Sequence, residues 1–441
     1  MHVRPLLWAI ASFLLTARRA VATTNTTGLC GEKEPIHTGY LNELYYVFYE
    51  TRQFPSDHTP LVIWLSGGPG CSSLVGMLFE NGPCSVGEDS SVAKINPSSW
   101  TNAAHMVYID QPRGTGFSPP RIDRENWYES DVAADLVGFL DAFYDAYPFL
   151  ATNDLYVFGE SYAGHYVPDF VFALLHRPVS VATSPHADQI VKNLKGMGIG
   201  NGLTSPSAMY GTAGEFAEGL TKGQIKASAP DTVAQCYDGI ERCQVAVHGG
   251  FGDCSKLGPC DHLMSDLLVQ AHANNLNYYD LRAQCHNDDL FKLCYRFTPL
   301  YNFLNAPSTR ATLGIQGKTW IPCNHDVFTH YARFDYFSES EVKVANILDH
   351  GIRVLIYAGD QDMVCNWKAQ DKWTKDMVWT HQTAFAQQQL GTYVYNKAAV
   401  GEMRQYDGLS FLRVYQSGHM VPFDQPEVAL DMFARFVTNR L

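Results

Sequence analysis

Residues Leu155 to Pro168 read LYVFGESYAGHYVP, and this segment limits the fold more than any other. A short aromatic and β-branched run ends at Gly159, small side chains return at Ala163 and Gly164, and an apolar stretch follows. Such a pattern describes a strand that passes through a tight turn into a helix, with Ser161 at the apex. The helix must leave close beside the strand that feeds it, so the flanking residues have to be small. A strand that returns through a helix belongs to an α/β architecture rather than to a helical bundle or a β-sandwich.

The rest of the chain keeps the same rhythm. Tyr45–Tyr49, Leu61–Leu65, His105–Ile109, Leu155–Phe158, Leu194–Ile199, Arg353–Ala358 and Phe411–Tyr415 are short runs of strand-forming residues that end near Gly, Pro or Asp. Between them, Asp131 to Ala146 carries Val132, Leu136, Phe139, Leu140 and Phe143 at helical spacing, and Pro426 to Thr438 does so with Val428, Met432, Phe433 and Phe436. Alternation of this kind predicts a central, mostly parallel sheet with helices on both faces. With 441 residues and 46% hydrophobic content, the chain can bury such a core. The rhythm breaks from about Thr204 to Cys323, a stretch that holds seven of the eleven cysteines and shows no βαβ pattern. It reads as a disulfide-rich cap inserted into one catalytic domain spanning 23–441.

Three loops at predicted strand ends carry reactive side chains. Ser161 sits in the turn already described. Gly359-Asp360-Gln361-Asp362 follows the Arg353 strand and offers two carboxylates, and Ser417-Gly418-His419 follows the last strand and offers one imidazole. Serine, acid and histidine in this order suit a nucleophile, the group that orients the base, and the base itself. A fourth loop, WLSGGPGCSS over Trp64–Ser73, exposes backbone N–H groups of the sort that stabilise an oxyanion.

Together, WLSGGPGCSS, GESYAGHYVP, GDQDMVCNW and SGHMVPFDQP resemble the serine carboxypeptidases, most closely the carboxypeptidase Y type, and IDQPRGTGFS and GNGL extend the likeness over nearly the whole mature chain. The resemblance implies an α/β-hydrolase fold and hydrolysis of C-terminal peptide bonds at acidic pH, with peptide and protein C-termini as partners and no cofactor or metal. It implies Ser161 as nucleophile, His419 as base and acid, Asp362 as its orienting group, and Asp360 as structural. Backbone N–H groups of Gly68 and Tyr162 would form the oxyanion hole. Ser66, Gly67, Glu80 and Glu160 would bind the substrate carboxylate. Two carboxyls facing a third would repel it if all were ionised, so at least one must hold a proton and donate it. Val75, Phe79, Val364, Cys365 and Met420 match substrate-pocket positions, which implies a hydrophobic preference. Where the family usually has Asn before Gly-Gly this chain has Ser66, a small hydroxyl residue also found at this place in related plant acyltransferases; an acyltransferase using the same triad is the alternative reading.

The resemblance also pairs Cys71 with Cys323 and Cys285 with Cys294. Within the cap, Cys236, Cys243, Cys254 and Cys260 would close two bridges, here expected as nested pairs, and Cys30 could reach Cys84. Cys365 remains as the odd thiol, expected to lie beside the substrate pocket and to make the enzyme sensitive to thiol reagents. So many cysteines fit an oxidising compartment. Met1 to Ala22 has the form of a secretory signal, with an apolar run too short to span a membrane, and Asn25-Thr26-Thr27 is a glycosylation sequon. Secretory-pathway delivery to the extracellular space or to a vacuolar or lysosomal lumen follows, without stable membrane association. The formal charge of -13 argues against a nucleic-acid surface, and the 16 His bring the chain toward neutrality in a mildly acidic medium. The sequence leaves the oligomeric state open.

Overall fold

The computed structural model describes residues 23–25, 28–32, 34–53, 59–89, 91–122, 128–177, 185–248, 258–315, 317–331 and 335–441, with backbone alone for 23–25 and 242–248. The signal segment, the side chain of Asn25 and the expected Cys243–Cys254 pair lie outside the described residues.

In chain order the strands are β1 (Thr23–Asn25), β2 (Ile36–Leu41), β3 (Leu44–Tyr49), β4 (Leu61–Leu65), β5 (Cys84–Ser85), β6 (Lys94–Ile95), β7 (His105–Asp110) and β8 (Leu155–Glu160). They continue as β9 (Leu194–Gly200), β10 (Leu276–Asn277), β11 (Asp280–Gln284), β12 (Arg353–Gly359), β13 (Gly391–Tyr395), β14 (Ala398–Tyr406) and β15 (Leu409–Val414). Eleven of them form one sheet in the order β1-β2-β3-β7-β4-β8-β9-β12-β15-β14-β13. The six central strands, β7 to β15 in that order, pair in parallel, and antiparallel strands flank them on both sides.

The central strands are buried on both faces, which is why they read as continuous apolar runs. In β4, Leu61, Ile63 and Leu65 join one core with Phe139 and Val167 of the helices Glu129–Ala146 and Ala163–Leu175. Val62 and Trp64 point into the other core, where Trp100 stacks on Phe433 of the final helix at 4.0 Å. Each such fully buried large apolar side chain contributes about 1.5–3 kcal/mol relative to exposure.

The structure corrects the sequence reading at the edges. The flanking antiparallel strands β2, β13 and β14 were not expected, and β15 runs from Leu409 to Val414 rather than from Phe411 to Tyr415. Strands β13 and β14 bury only three of their fourteen residues, so they lack the apolar signature that marks the buried ones.

Between β9 and β12 no described residue joins the large sheet. This stretch holds the helices Pro206–Leu220, Pro230–His248 and Gly258–Ala273, the β10–β11 hairpin, and further short helices. Disulfides join Cys30 to Cys84, Cys71 to Cys323, Cys236 to Cys260 and Cys285 to Cys294. Cys365 is free and buried.

Candidate active site

The parallel strands β4, β8, β9, β12 and β15 all end on the same edge of the sheet, and the residues just beyond those ends are Ser66, Ser161, Asn201, Asp362 and His419. In open α/β sheets this edge is where ligands bind.

Ser161 adopts φ +64°, a left-handed conformation that L side chains rarely take, and the surrounding hydrogen bonds hold it there. Its N–H donates to Gly200 O at 3.0 Å, and its carbonyl accepts from Gly164 N and Leu203 N, both at 2.9 Å. A side chain at Gly159 would meet Ala163 Cβ and Leu65 O at 2.6 Å, so the turn admits only glycine there. The oxyanion loop comes equally close: a Cβ on Gly67 would lie 2.3 Å from the Tyr162 amide nitrogen. Gly68, at φ +110°, continues that loop over the elbow.

Asp362 is fully buried, and its Oδ2 accepts from His419 Nδ1 at 2.6 Å. That bond places the proton on Nδ1 and leaves Nε2 as the ring nitrogen able to take another. Asn201 completes the arrangement. Its Nδ2 donates to Asp362 Oδ2 at 2.8 Å, its Oδ1 accepts from Gly359 N at 3.0 Å, and Val364 N donates to Asp362 Oδ1 at 2.9 Å. The motif GNGL by itself gave Asn201 no role; the signal that could have found it is a polar residue directly after a strand that ends beside the acid loop. Asp360 is held apart by Gln416 N and Arg413.

Ser66, Gly67, Gly68, Glu80, Glu160, Ser161, His419 and Met420 line one cavity of about 500 Å³, together with Val75. Glu160 ends β8, and Glu80 ends a π-helical turn, Gly76–Glu80, a geometry common at functional sites. The two carboxyls are hydrogen-bonded to each other, and each has an Oε2 with no other partner. Burial raises both above the usual carboxyl range, Glu80 to about 7, and the mutual repulsion of the pair adds to the rise at Glu160. At acidic pH this is a neutral, proton-rich pair aimed into a cavity whose wall is largely apolar. Ser66 Oγ accepts from Trp64 Nε1 at 3.2 Å, which leaves its own proton to donate.

Three expected pocket residues are not on the cavity wall. Phe79 stacks on Phe423 at 4.6 Å, Val364 packs against the core, and Cys365 is buried within that core. The apolar, mainly aromatic wall instead comes from Phe291, Leu293, Tyr295 and Phe297 around the Cys285–Cys294 bridge, and from Tyr279 and Phe328. The sequence missed these because their region carries no periodic pattern. Among the described residues, three groups bring at least three potential metal ligands within 4.8 Å; two are built on disulfide cysteines, and the third is Asp362, Cys365 and His419. Cysteines already joined to each other supply no thiolate, so the first two groups suit a metal poorly.

The serine carboxypeptidase family model matches residues 32–439. The chain belongs to the serine carboxypeptidase family. It is 38% identical over 420 residues to serine carboxypeptidase-like 48 of Arabidopsis thaliana, covering 92% of this chain and 78% of that protein. It is 34% identical over 418 residues to serine carboxypeptidase 3 of Hordeum vulgare, covering 92% and 78% respectively. In structure it is similar to a prohormone-processing carboxypeptidase from Saccharomyces cerevisiae, with a TM-score of 0.74, 25% identity, and coverage of 92% of this chain and 91% of that one. This serine carboxypeptidase carries the α/β-hydrolase fold expected of it.

Proposed function

We propose that this protein is an acid-favouring serine carboxypeptidase that releases single residues from the C-termini of peptides and proteins, with a hydrophobic preference. The observation that carries the reading is the buried Glu80–Glu160 pair in the same cavity as Ser161 and His419. A general esterase has no use for two protonated carboxyls beside its nucleophile, whereas a terminal carboxylate needs donors.

In this reading Ser161 Oγ attacks the last peptide carbonyl and passes its proton to His419 Nε2, while Asp362 stabilises the imidazolium. Backbone N–H groups of Gly68 and Tyr162 receive the oxyanion. His419 then protonates the leaving amine, and water hydrolyses the acyl-enzyme by the same route in reverse. Glu80, Glu160, Ser66 and the Gly67 backbone hold the terminal carboxylate. The apolar wall favours hydrophobic side chains, and the stretch 204–323 acts as the cap that supplies most of that wall. The disulfides fit a secretory-pathway enzyme of the extracellular space or of a vacuolar or lysosomal lumen; among the described residues no helix is long and apolar enough to cross a membrane.

Ser66 keeps the acyltransferase reading in view, because a shorter donor grips a carboxylate less closely. One experiment separates the two: a blocked dipeptide with a free C-terminus against an activated acyl ester plus acceptor. Preferential cleavage of the dipeptide supports the peptidase; transfer to the acceptor in excess of hydrolysis overturns it.

A further inference from the structure

A second cavity, of about 1200 Å³, shares no lining residue with the first. Its acidic lining includes Glu129, Asp335, Glu339 and Glu341. The nearby cations are already engaged: Lys343 bonds to Asp169, and Lys372 to Asp376. Among the described residues, no Lys or Arg forms an ion pair with any of those four carboxyls.

Their hydrogen bonding is incomplete as well. Glu129 is only 3% exposed; its Oε1 accepts from Tyr162 OH at 2.7 Å, and its Oε2 has no partner. Glu339 accepts from Ser207 N at 2.9 Å through Oε1 and shares a hydrogen bond with the Glu341 carboxyl, so the unmet acceptor among the four is that of Glu129. Buried acceptors left in this state are costly, and a ligand that brings donors relieves the cost. Asp335 lies against Glu129, accepting its backbone N–H at 2.6 Å, so the acids form two groups, Glu129 with Asp335 and Glu339 with Glu341.

The acids do not converge on a point. Among the described residues, no three potential ligand atoms of this cavity lie within 4.8 Å of one another, which disfavours a single compact metal ion. Apolar surface lines the same cavity: Phe172, Trp373 and Met377 are on its wall, and Val342 and Val378 stand exposed at 63% and 83%. A matching ligand has spaced cationic donors on a flexible aliphatic chain, with methylenes against the apolar wall and ammonium groups on the acids.

We propose that this cavity is a second binding site, for a linear aliphatic polyamine whose ammonium groups meet the Glu129–Asp335 and Glu339–Glu341 pairs. The site is separate from peptide hydrolysis, and Glu129 joins the two through its bond to Tyr162.

The test is calorimetric titration of the full-length protein with spermidine at low salt, alongside 1,5-pentanediol and calcium chloride. Saturable one-site binding of spermidine is expected, weakened at least about fivefold by Glu341→Lys and by Glu339→Lys and absent for the diol. Both changes lie outside the catalytic machinery, so retained peptide hydrolysis shows that the variants are folded. Absence of saturable spermidine binding, equal affinity in the Glu341→Lys protein, comparable binding of the diol, or tighter binding of calcium at these residues would each overturn the proposal.

Discussion

If Glu80 and Glu160 bind the substrate carboxylate as proton donors, the pH profile of peptide hydrolysis must carry their ionisation. The pair is buried, and desolvation is the main reason that Glu80 is raised to about 7; the hydrogen bond from Glu160 opposes the rise without cancelling it. Below that value both carboxyls are neutral. Above it Glu80 becomes charged and faces the substrate carboxylate with repulsion instead of a hydrogen bond. A group titrating near 7 keeps about nine-tenths of its protons at pH 6 and about one-tenth at pH 8, so kcat/KM should fall roughly tenfold over that interval and roughly a hundredfold by pH 9. The first tenfold is about 1.4 kcal/mol of lost binding. The assay compares a blocked dipeptide with a blocked amino-acid ester that has no terminal carboxylate, from pH 5 to 9. Only the dipeptide should show the fall. Glu80→Gln keeps a donor that cannot ionise, so the fall should move to higher pH, at the cost of a several-fold rise in KM at pH 5; Glu160→Gln should remove part of the fall. Parallel profiles for dipeptide and ester, or a Glu80→Gln profile that superimposes on the parent, refute the reasoning.

Other expectations follow from the same structure. Removing the Cys71–Cys323 bridge, which spans 252 residues and ties the oxyanion loop to the segment before β12, by a Cys71→Ser/Cys323→Ser double change should cost roughly 2–5 kcal/mol, measured by denaturant unfolding. Cys365 is buried and its thiol is held well above the usual range by desolvation and by the charges of Asp362 and Glu160, so the sensitivity to thiol reagents expected from sequence should develop over hours rather than minutes. Its sulfur lies within 4.8 Å of ligand atoms of Asp362 and His419, so slow modification and loss of activity should proceed together, and Cys365→Ser should abolish both. Burial holds Asp110, Asp335 and Asp424 at about 6 and Glu341 at about 9. Carboxyls raised in the folded state stabilise it fully below their unfolded values near 4, and that stability is lost as pH rises through the folded values. His105 and His165 are lowered by burial to about 4 and about 3 and act only below about 7, and the three aspartates have lost their protons by then, so Glu341 is the group of this set behind an expected fall in Tm of a few degrees between pH 7 and 9, measured by scanning calorimetry.

The residues legible in the sequence were those whose local chemistry is self-announcing. Ser161 needs a strand, a left-handed turn and a close helix, and each leaves a mark in GESYAG. Asp362 and His419 follow buried apolar strands, so the sequence pattern alone places their loops at strand ends. The aromatic cavity wall left no such mark. Phe291, Leu293 and Tyr295 come from a disulfide-closed loop without repeating pattern, and only tertiary packing brings them opposite Ser161. Phe79 and Cys365 show the reverse case: a matching position in sequence does not fix which way a side chain faces, and here one joins an aromatic stack while the other enters the core. Asn201 was visible as a polar residue after β9, but its link to Asp362 depends on the register between β9 and β12. The edge strands β13 and β14 were missed because exposed strands need no apolar alternation.

The most direct test of the account is to incubate a defined peptide with a hydrophobic last residue at acidic pH and follow its mass over time. The parent protein should release single C-terminal residues stepwise, the same peptide bearing a C-terminal amide should not react, and Ser161→Ala should lose turnover by at least about a thousandfold. Internal cleavage, or release that persists at the parent rate in Ser161→Ala, would contradict the account.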